Sequence, residues 1–212
     1  MKIYGISGLG ADKRVFKFLK LDCEFVPIDW IDPLKEEGIV AYSLRLAEVI
    51  NQDEKFGIMG VSFGGLIATE ISKKLKPEIT ILISSAETKH DLRILYSGIG
   101  KTKMLKLVPE KFFDLPRGFA AFLFGTDNRE LLNKILDDTD PAFTKWAVQE
   151  LLHWQNEESL INCLKISGTK DKLIPASIHP EINLIEGGGH FIIVDKAQEI
   201  SDMINERLKE MG

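Results

Sequence analysis

Cysteine is scarce in this chain of 212 residues, with Cys23 and Cys163 far apart and no CxxC pair. Two isolated thiols supply neither a disulfide framework nor a paired-cysteine zinc site, and they suit a reducing compartment. An excess of basic residues is also missing. The 27 Lys and Arg against 32 Asp and Glu leave a net charge of −5, which offers no cationic surface to nucleic acid or to an anionic membrane. No apolar stretch approaches the roughly 20 residues that span a bilayer. Met1-Lys2-Ile3-Tyr4-Gly5-Ile6 reads as a strand from the outset, so neither a signal peptide nor a transit segment is expected. Internal repeats and low-complexity tracts are absent as well. A cytoplasmic, soluble protein with no nucleic-acid or membrane partner is the expectation.

What is present is material for a large core: 44% hydrophobic and 28% charged residues, the balance of an ordinary globular domain. Lys2 to Ile6 reads as a first strand, followed by the turn Ser7-Gly8-Leu9-Gly10 and a helix capped by Asp12 through Val15, Phe16 and Leu19. Glu24 to Ile28 is a second strand, Tyr42 to Ile50 a helix, and Lys55 to Met59 a buried strand. Glu78 to Ile83 is nearly all apolar and β-branched, as a strand covered on both faces should be. Alternating strands and helices predict a parallel sheet with right-handed crossovers. The alternation stops from about Glu87 to Asn162, where helical stretches such as Asn128–Leu136 and Ala142–Trp154 carry the pattern, the second opened by Asp140-Pro141. That interval holds Tyr96, Phe112, Phe113, Phe119, Phe122, Phe124, Phe143, Trp146 and Trp154, half of the chain's aromatics. It reads as a helical insertion over the sheet edge. The sheet resumes at Cys163–Ser167 and Glu181–Ile185, and a helix from about Ala197 to Glu210 closes the chain.

Within this frame one hexapeptide stands out, Gly60-Val61-Ser62-Phe63-Gly64-Gly65. A buried strand precedes it, and Ile67, Ile71 and Leu75 follow at helical spacing. A serine on a strand-to-helix turn with glycines two residues to either side is the nucleophile-elbow arrangement. The glycines let two backbones pass close to a residue held in a tight turn, and the helix N-terminus points its amides at the same spot.

A serine hydroxyl is a weak nucleophile until a base takes its proton and a third group orients that base. In an open α/β sheet such groups belong on loops at the carboxyl ends of strands. Ser167-Gly168-Thr169-Lys170-Asp171 places Asp171 just past one late strand, and Glu186-Gly187-Gly188-Gly189-His190-Phe191 places His190 just past the next. The order Ser62, Asp171, His190 matches the chain order of this motif. Glu87, directly after the Ile79–Ile83 strand, is an alternative acid. His90, His153 and His179 have no metal-ligand spacing, and surface or cap roles are expected for them.

With these motifs the chain resembles the α/β-hydrolase superfamily, in particular its small capped serine hydrolases. The resemblance runs the whole length. It implies a three-layer α/β fold with about six mainly parallel strands, residues 1–86 and 163–212 forming the core domain and 87–162 an inserted helical cap. An opening antiparallel hairpin, frequent in the family, is not expected. It further implies a catalytic triad of Ser62, Asp171 and His190, and an oxyanion hole from the backbone amides of Leu9 and Phe63, with Ser7 where the family often has histidine. The implied reaction is two-step acyl transfer on a small or medium carboxylic ester or thioester, an esterase or thioesterase-like activity requiring no metal or organic cofactor. Among the cap aromatics, Trp146 and Phe122 are the candidate substrate contacts.

Two other functions compete. Gly5, Gly8 and Gly10 after the first strand, with Asp29 about 20 residues on, resemble a dinucleotide fingerprint, but Lys13 stands where glycine or alanine is required. Gly100-Lys101-Thr102 resembles the end of a P-loop, but Leu95 occupies the earlier glycine position. The stronger rival is a small-ligand sensor, or a non-hydrolytic enzyme, built on the same fold and keeping the same three residues.

Overall fold

The computed structural model describes residues 1–92, 116–176 and 182–212. Six strands, β1 (Lys2–Ile6), β2 (Glu24–Ile28), β3 (Phe56–Val61), β4 (Ile79–Ile83), β5 (Cys163–Gly168) and β6 (Ile182–Ile185), form one sheet in the order β2-β1-β3-β4-β5-β6. Every neighbouring pair is parallel. Among the described residues the helices are α1 (Ile39–Leu46), α2 (Phe63–Leu75), α3 (Arg117–Phe124), α4 (Arg129–Asp137), α5 (Pro141–His153), α6 (Ile192–Asp195) and α7 (Ala197–Met211). The expected three-layer arrangement is present. No helix among the described residues is long and apolar enough to cross a membrane.

Side chains alternate along each strand, so each strand feeds two cores. Tyr4, Ile6, Ile58 and Leu82 pack with α1, α2 and α5 on one face. Ile3, Met59, Val61, Ile81 and Ile166 pack with α6 and α7 on the other. The central strands β3 and β4 are buried at every position, which is why they read as unbroken apolar runs.

Two local differences from the sequence expectation have clear causes. The segment after β1 is a 3-10 turn, Lys13–Phe18, capped by the Asp12 side chain on the Arg14 amide. It runs six residues before Leu19 turns extended, long for this tighter winding, and stops too soon to form the longer helix that the sequence pattern predicts. Helix α1 starts at Ile39, three residues before Tyr42. Its first amide donates 2.7 Å to the Glu150 carboxylate on α5, so a residue 111 positions away serves as the cap.

The interval from β4 to β5 contains, among the described residues, a 3-10 turn at Lys89–Asp91 and helices α3 to α5, and no strand. Its last part is tied to the sheet by a buried polar network. Trp154 Nε1 donates to Glu70, Lys73 bridges Glu70 and Asn156, and Asn156 donates to the Glu87 carbonyl. The Glu87 carboxylate accepts from Lys165 Nζ on β5 and from the Leu160 amide, both at 2.5 Å. Burial alone would lower the Lys165 pKa, but the hydrogen bond and charge of Glu87 outweigh it and hold the ammonium above its ordinary value of 10.5.

Truncating one member of this pair leaves the other charge buried, with side chains only 11% and 5% exposed. Lys165→Met is therefore expected to cost about 3 kcal/mol in urea unfolding, and Lys165→Met with Glu87→Gln less than the sum of the two single changes. Because folding raises the Lys165 pKa, the associated stability is fully present below about pH 10.5 and is lost as pH rises through the raised value. Lys165→Met should remove that alkaline loss. Additive single changes would show that the pair is not coupled.

Candidate active site

The strand order reverses between β1 and β3, which lie side by side while their crossovers run in opposite directions. A crevice opens there at the carboxyl edge of the sheet, the usual place for a site in this class of fold. At the end of β3 the chain enters α2 through Ser62, whose backbone sits at φ 52°, ψ −123°. This is a strained conformation for a residue with a Cβ. Three hydrogen bonds hold it. Ser62 N donates 2.9 Å to the Ile83 carbonyl, and the Ser62 carbonyl accepts from Ser85 Oγ at 2.7 Å and from Gly65 N at 2.9 Å. Gly64 brings the first turn of α2 onto the end of β1, where any side chain would strike the carbonyls of Ile6 and Ser7.

That contact sets the β1 loop beside the serine. A methyl group placed on Gly8 would lie 3.3 Å from Ser62 Cβ. The loop is pinned from inside: the buried Ser7 hydroxyl donates 2.7 Å to the Ala11 carbonyl, Trp30 Nε1 donates 2.9 Å to the same oxygen, and Ala11 N closes a turn onto Gly8 O. Thr139 Oγ1, at the end of α4, adds a bond to Gly10 O. Ser7 thus braces the loop through a hydroxyl-to-carbonyl bond. No acceptor among the described residues takes the Leu9 or Phe63 amide. Phe63 is the first residue of α2, so its N–H is one of the helix's unpaired N-terminal donors.

The loops after β5 and β6 bring two further groups to Ser62. Asp171 Oδ1 accepts from the amides of Leu173 and Ile174, each at 2.9 Å, and Oδ2 accepts from His190 Nδ1 at 2.8 Å. With Nδ1 donating, Nε2 presents its lone pair to the Ser62 hydroxyl, which lies 2.8 Å away. Asp171 and His190 are buried, at 0% and 3% side-chain exposure, so every polar atom of the pair needs a partner and has one. The His190 loop is clamped by the end of α3. His190 N and Phe191 N both donate to the Phe124 carbonyl, and Gly189 packs so close to Phe124 and Gly125 that a side chain would collide with their carbonyls. The Phe124 ring meets the imidazole edge-on at 5.5 Å.

The other candidates lie elsewhere. The Glu87 carboxylate is occupied by Lys165 and Leu160, not by His190. Trp146 is turned into an aromatic cluster with Tyr42, Phe63 and Phe143, its Nε1 donating to Glu37 O. Phe122 points outward, 60% exposed, with Lys172 Nζ over its ring. Neither lines the cavity at Ser62, whereas Phe124, two residues further on, does. Helical periodicity in the sequence could not distinguish Phe122 from Phe124, because it does not say which face meets the histidine loop. His153 is exposed and bonds within its own helix. His179, Tyr96, Phe112, Phe113 and Gly100-Lys101-Thr102 lie outside the described residues. Among the described residues no cluster of His, Cys, Asp or Glu could hold a metal ion, and neither cysteine forms a disulfide. A surface depression between Asp22 and the polar face of α7 includes none of Ser62, His190 and Asp171. The cavity beside the serine is smaller and apolar.

No family model and no curated protein sequence matches the chain. Solved structures do. MenH from S. aureus superposes with a TM-score of 0.72 at 18% identity, covering 100% of this chain and 94% of that one. A thermophilic esterase from Thermogutta terrifontis gives 0.72 at 16%, covering 100% and 90%. A hydrolase from Oleispira antarctica gives 0.70 at 14%, covering 98% and 90%. At such identities the likeness is one of fold: this chain has the α/β-hydrolase fold.

The Ser62 backbone yields a stability test. Ser62→Gly and Ser62→Ala both remove the hydroxyl, but only glycine adopts the observed backbone angles without strain. Ser62→Gly should therefore be the more stable by about 1 kcal/mol in denaturant unfolding, after allowing for the freer unfolded chain. Equal midpoints for the two variants would show that the turn is not strained.

Proposed function

We propose that the protein is a serine hydrolase that cleaves carboxylic ester or thioester bonds through an acyl-enzyme on Ser62. The observation that carries this reading is the unbroken run of 2.8 Å bonds from Asp171 through His190 to a serine in a strained strand-to-helix turn. Ser62 Oγ bonds to the substrate carbonyl carbon as its proton passes to His190 Nε2, and the carbonyl π electrons move onto oxygen. The amides of Leu9 and Phe63 receive that oxyanion. One such donor is typically worth about 2.7–4 kcal/mol. Collapse of the tetrahedral adduct breaks the bond to the alcohol or thiol, which leaves with the proton from His190. Water then adds to the acyl group with His190 again as base, releasing the acid and restoring Ser62. Asp171 holds the imidazole in the tautomer that both steps need. Proton transfers by His190 complete the cycle, so no metal or organic cofactor is called for. In this reading residues 1–86 and 163–212 are the catalytic core and 87–162 a helical cap over it.

A fluorophosphonate probe should label the wild-type protein and not Ser62→Ala. Short p-nitrophenyl esters should be turned over, with Asp171→Asn and His190→Ala slower by roughly 10²–10⁴-fold. Labelling without turnover would favour a ligand sensor.

A further inference from the structure

The hydroxyl of Ser62 faces a cavity with a blind end. Gly8 and Leu9 border it on one side and His190 on another. Beyond them the walls are Val15 from the 3-10 turn, Phe124 from α3, Leu132, Ile135 and Leu136 from α4, and Ile193 from α6. Val15, Leu132, Ile135 and Ile193 are no more than 2% exposed, so the far end is closed by packed side chains of three separate elements. The space leaves about 20 Å³ for the centre of a water-sized sphere. A single water needs about 10–15 Å³ on that measure, so one or two waters, or a methyl or ethyl group, fill it. Side chains in such a close-packed wall do not yield readily to extra methylenes.

We infer that this slot holds the acyl part of the substrate and limits it to acetyl or propionyl size, with Leu136 as the wall residue whose truncation relaxes the limit. The inference rests on the hydrolase reading and adds a substrate class to it. A closed apolar pocket suits the fragment that stays bonded to Ser62 between the two steps. The alcohol or thiol has to depart to solvent and cannot occupy a dead end. Of the α4 wall residues, Leu136 is only partly buried, so it can be changed with less disturbance to the core than Leu132 or Ile135. It makes none of the hydrogen bonds that hold Ser62, His190 or Asp171.

The test is kcat/KM for p-nitrophenyl esters from acetyl to decanoyl, with the wild type and Leu136→Ala. Binding of straight-chain alkylboronic acids from methyl to octyl, followed by thermal shift, is measured beside it, since it needs no turnover. The wild type should prefer acetyl or propionyl over hexanoyl by at least about tenfold, the scale on which hydrophobic pockets discriminate chain length. Leu136→Ala should raise the ratio of hexanoyl to acetyl kcat/KM about fivefold or more. The short boronic acids should stabilise the protein more than octylboronic acid. A wild type that prefers octanoyl esters or octylboronic acid overturns the slot and leaves the hydrolase reading standing. An unshifted preference in Leu136→Ala, folded as judged by its thermal transition, removes that role of Leu136. Turnover of no ester and binding of no boronic acid remove the hydrolase reading and the slot with it.

Discussion

The first turn of α2 lies against the carbonyl ends of β1, and Gly64 is the point of contact. Because no side chain stands between the two backbones, Ser62 is drawn into its φ of 52° and the Gly8 loop is brought against it in one stroke. Strain of this kind costs on the order of 1–3 kcal/mol. The three hydrogen bonds around Ser62, at about 1 kcal/mol each, offset a sum of that size. Two of their partners, Ile83 and Ser85, belong to β4 and the residues just after it. The serine is therefore fixed by the neighbouring strand as well as by its own turn.

The second dependence runs through the helices between β4 and β5. The end of α3 accepts two amide bonds from the His190 loop, and its Phe124 ring stands edge-on to the imidazole. The other end of that interval is anchored by Trp154, Asn156 and Leu160 onto Glu70, Lys73, Glu87 and Lys165. These helices are thus joined to the sheet at a charged network and at the histidine loop. A displacement of α3 would move His190 Nε2 relative to Ser62 Oγ. It would also reshape the cavity, because Phe124 belongs to both.

Much of this was legible in the sequence for a physical reason. Parallel strands buried on both faces leave an unmistakable apolar signature, and the loops at their carboxyl ends carry glycines where backbones must approach. Hence β1, β3 and β4 fall close to where the residues place them, and Ser62, Asp171 and His190 stand out on their turns. What stayed hidden depends on contacts between distant segments. The cap of α1 is Glu150, more than a hundred residues away. Glu87 reads as a free acid after β4 until Lys165, paired beside it on β5, is seen. Trp146 and Phe122 are the contacts the sequence favours, and Phe124 takes that place instead, since aromatic content carries no direction. The bracing of the Gly8 loop by Ser7, Trp30 and Thr139 joins three segments with no shared motif.

Burial makes the geometry at Ser62 consequential. An isolated carboxylate with no exposed side-chain surface would be very costly to keep, but Asp171 accepts two amides and an imidazole N–H, so its oxygens are satisfied before anything binds. The same three donors fix the ring, and the ring directs its other nitrogen at the serine. In a low-dielectric setting these bonds are stronger than they would be in water, and the dipoles need no reorientation when charge develops nearby. The apolar wall of Val15, Leu132, Ile135 and Phe124 leaves room beside the hydroxyl for no more than one or two waters. It follows that the cavity's smallness and the ordering of the polar chain are one property. Enlarging the cavity enough to admit bulk water would screen the Asp171–His190 pair as it made room for a longer chain. Changes that widen it should therefore be confined to the partly exposed end of α4, away from Phe124 and the loop that carries His190.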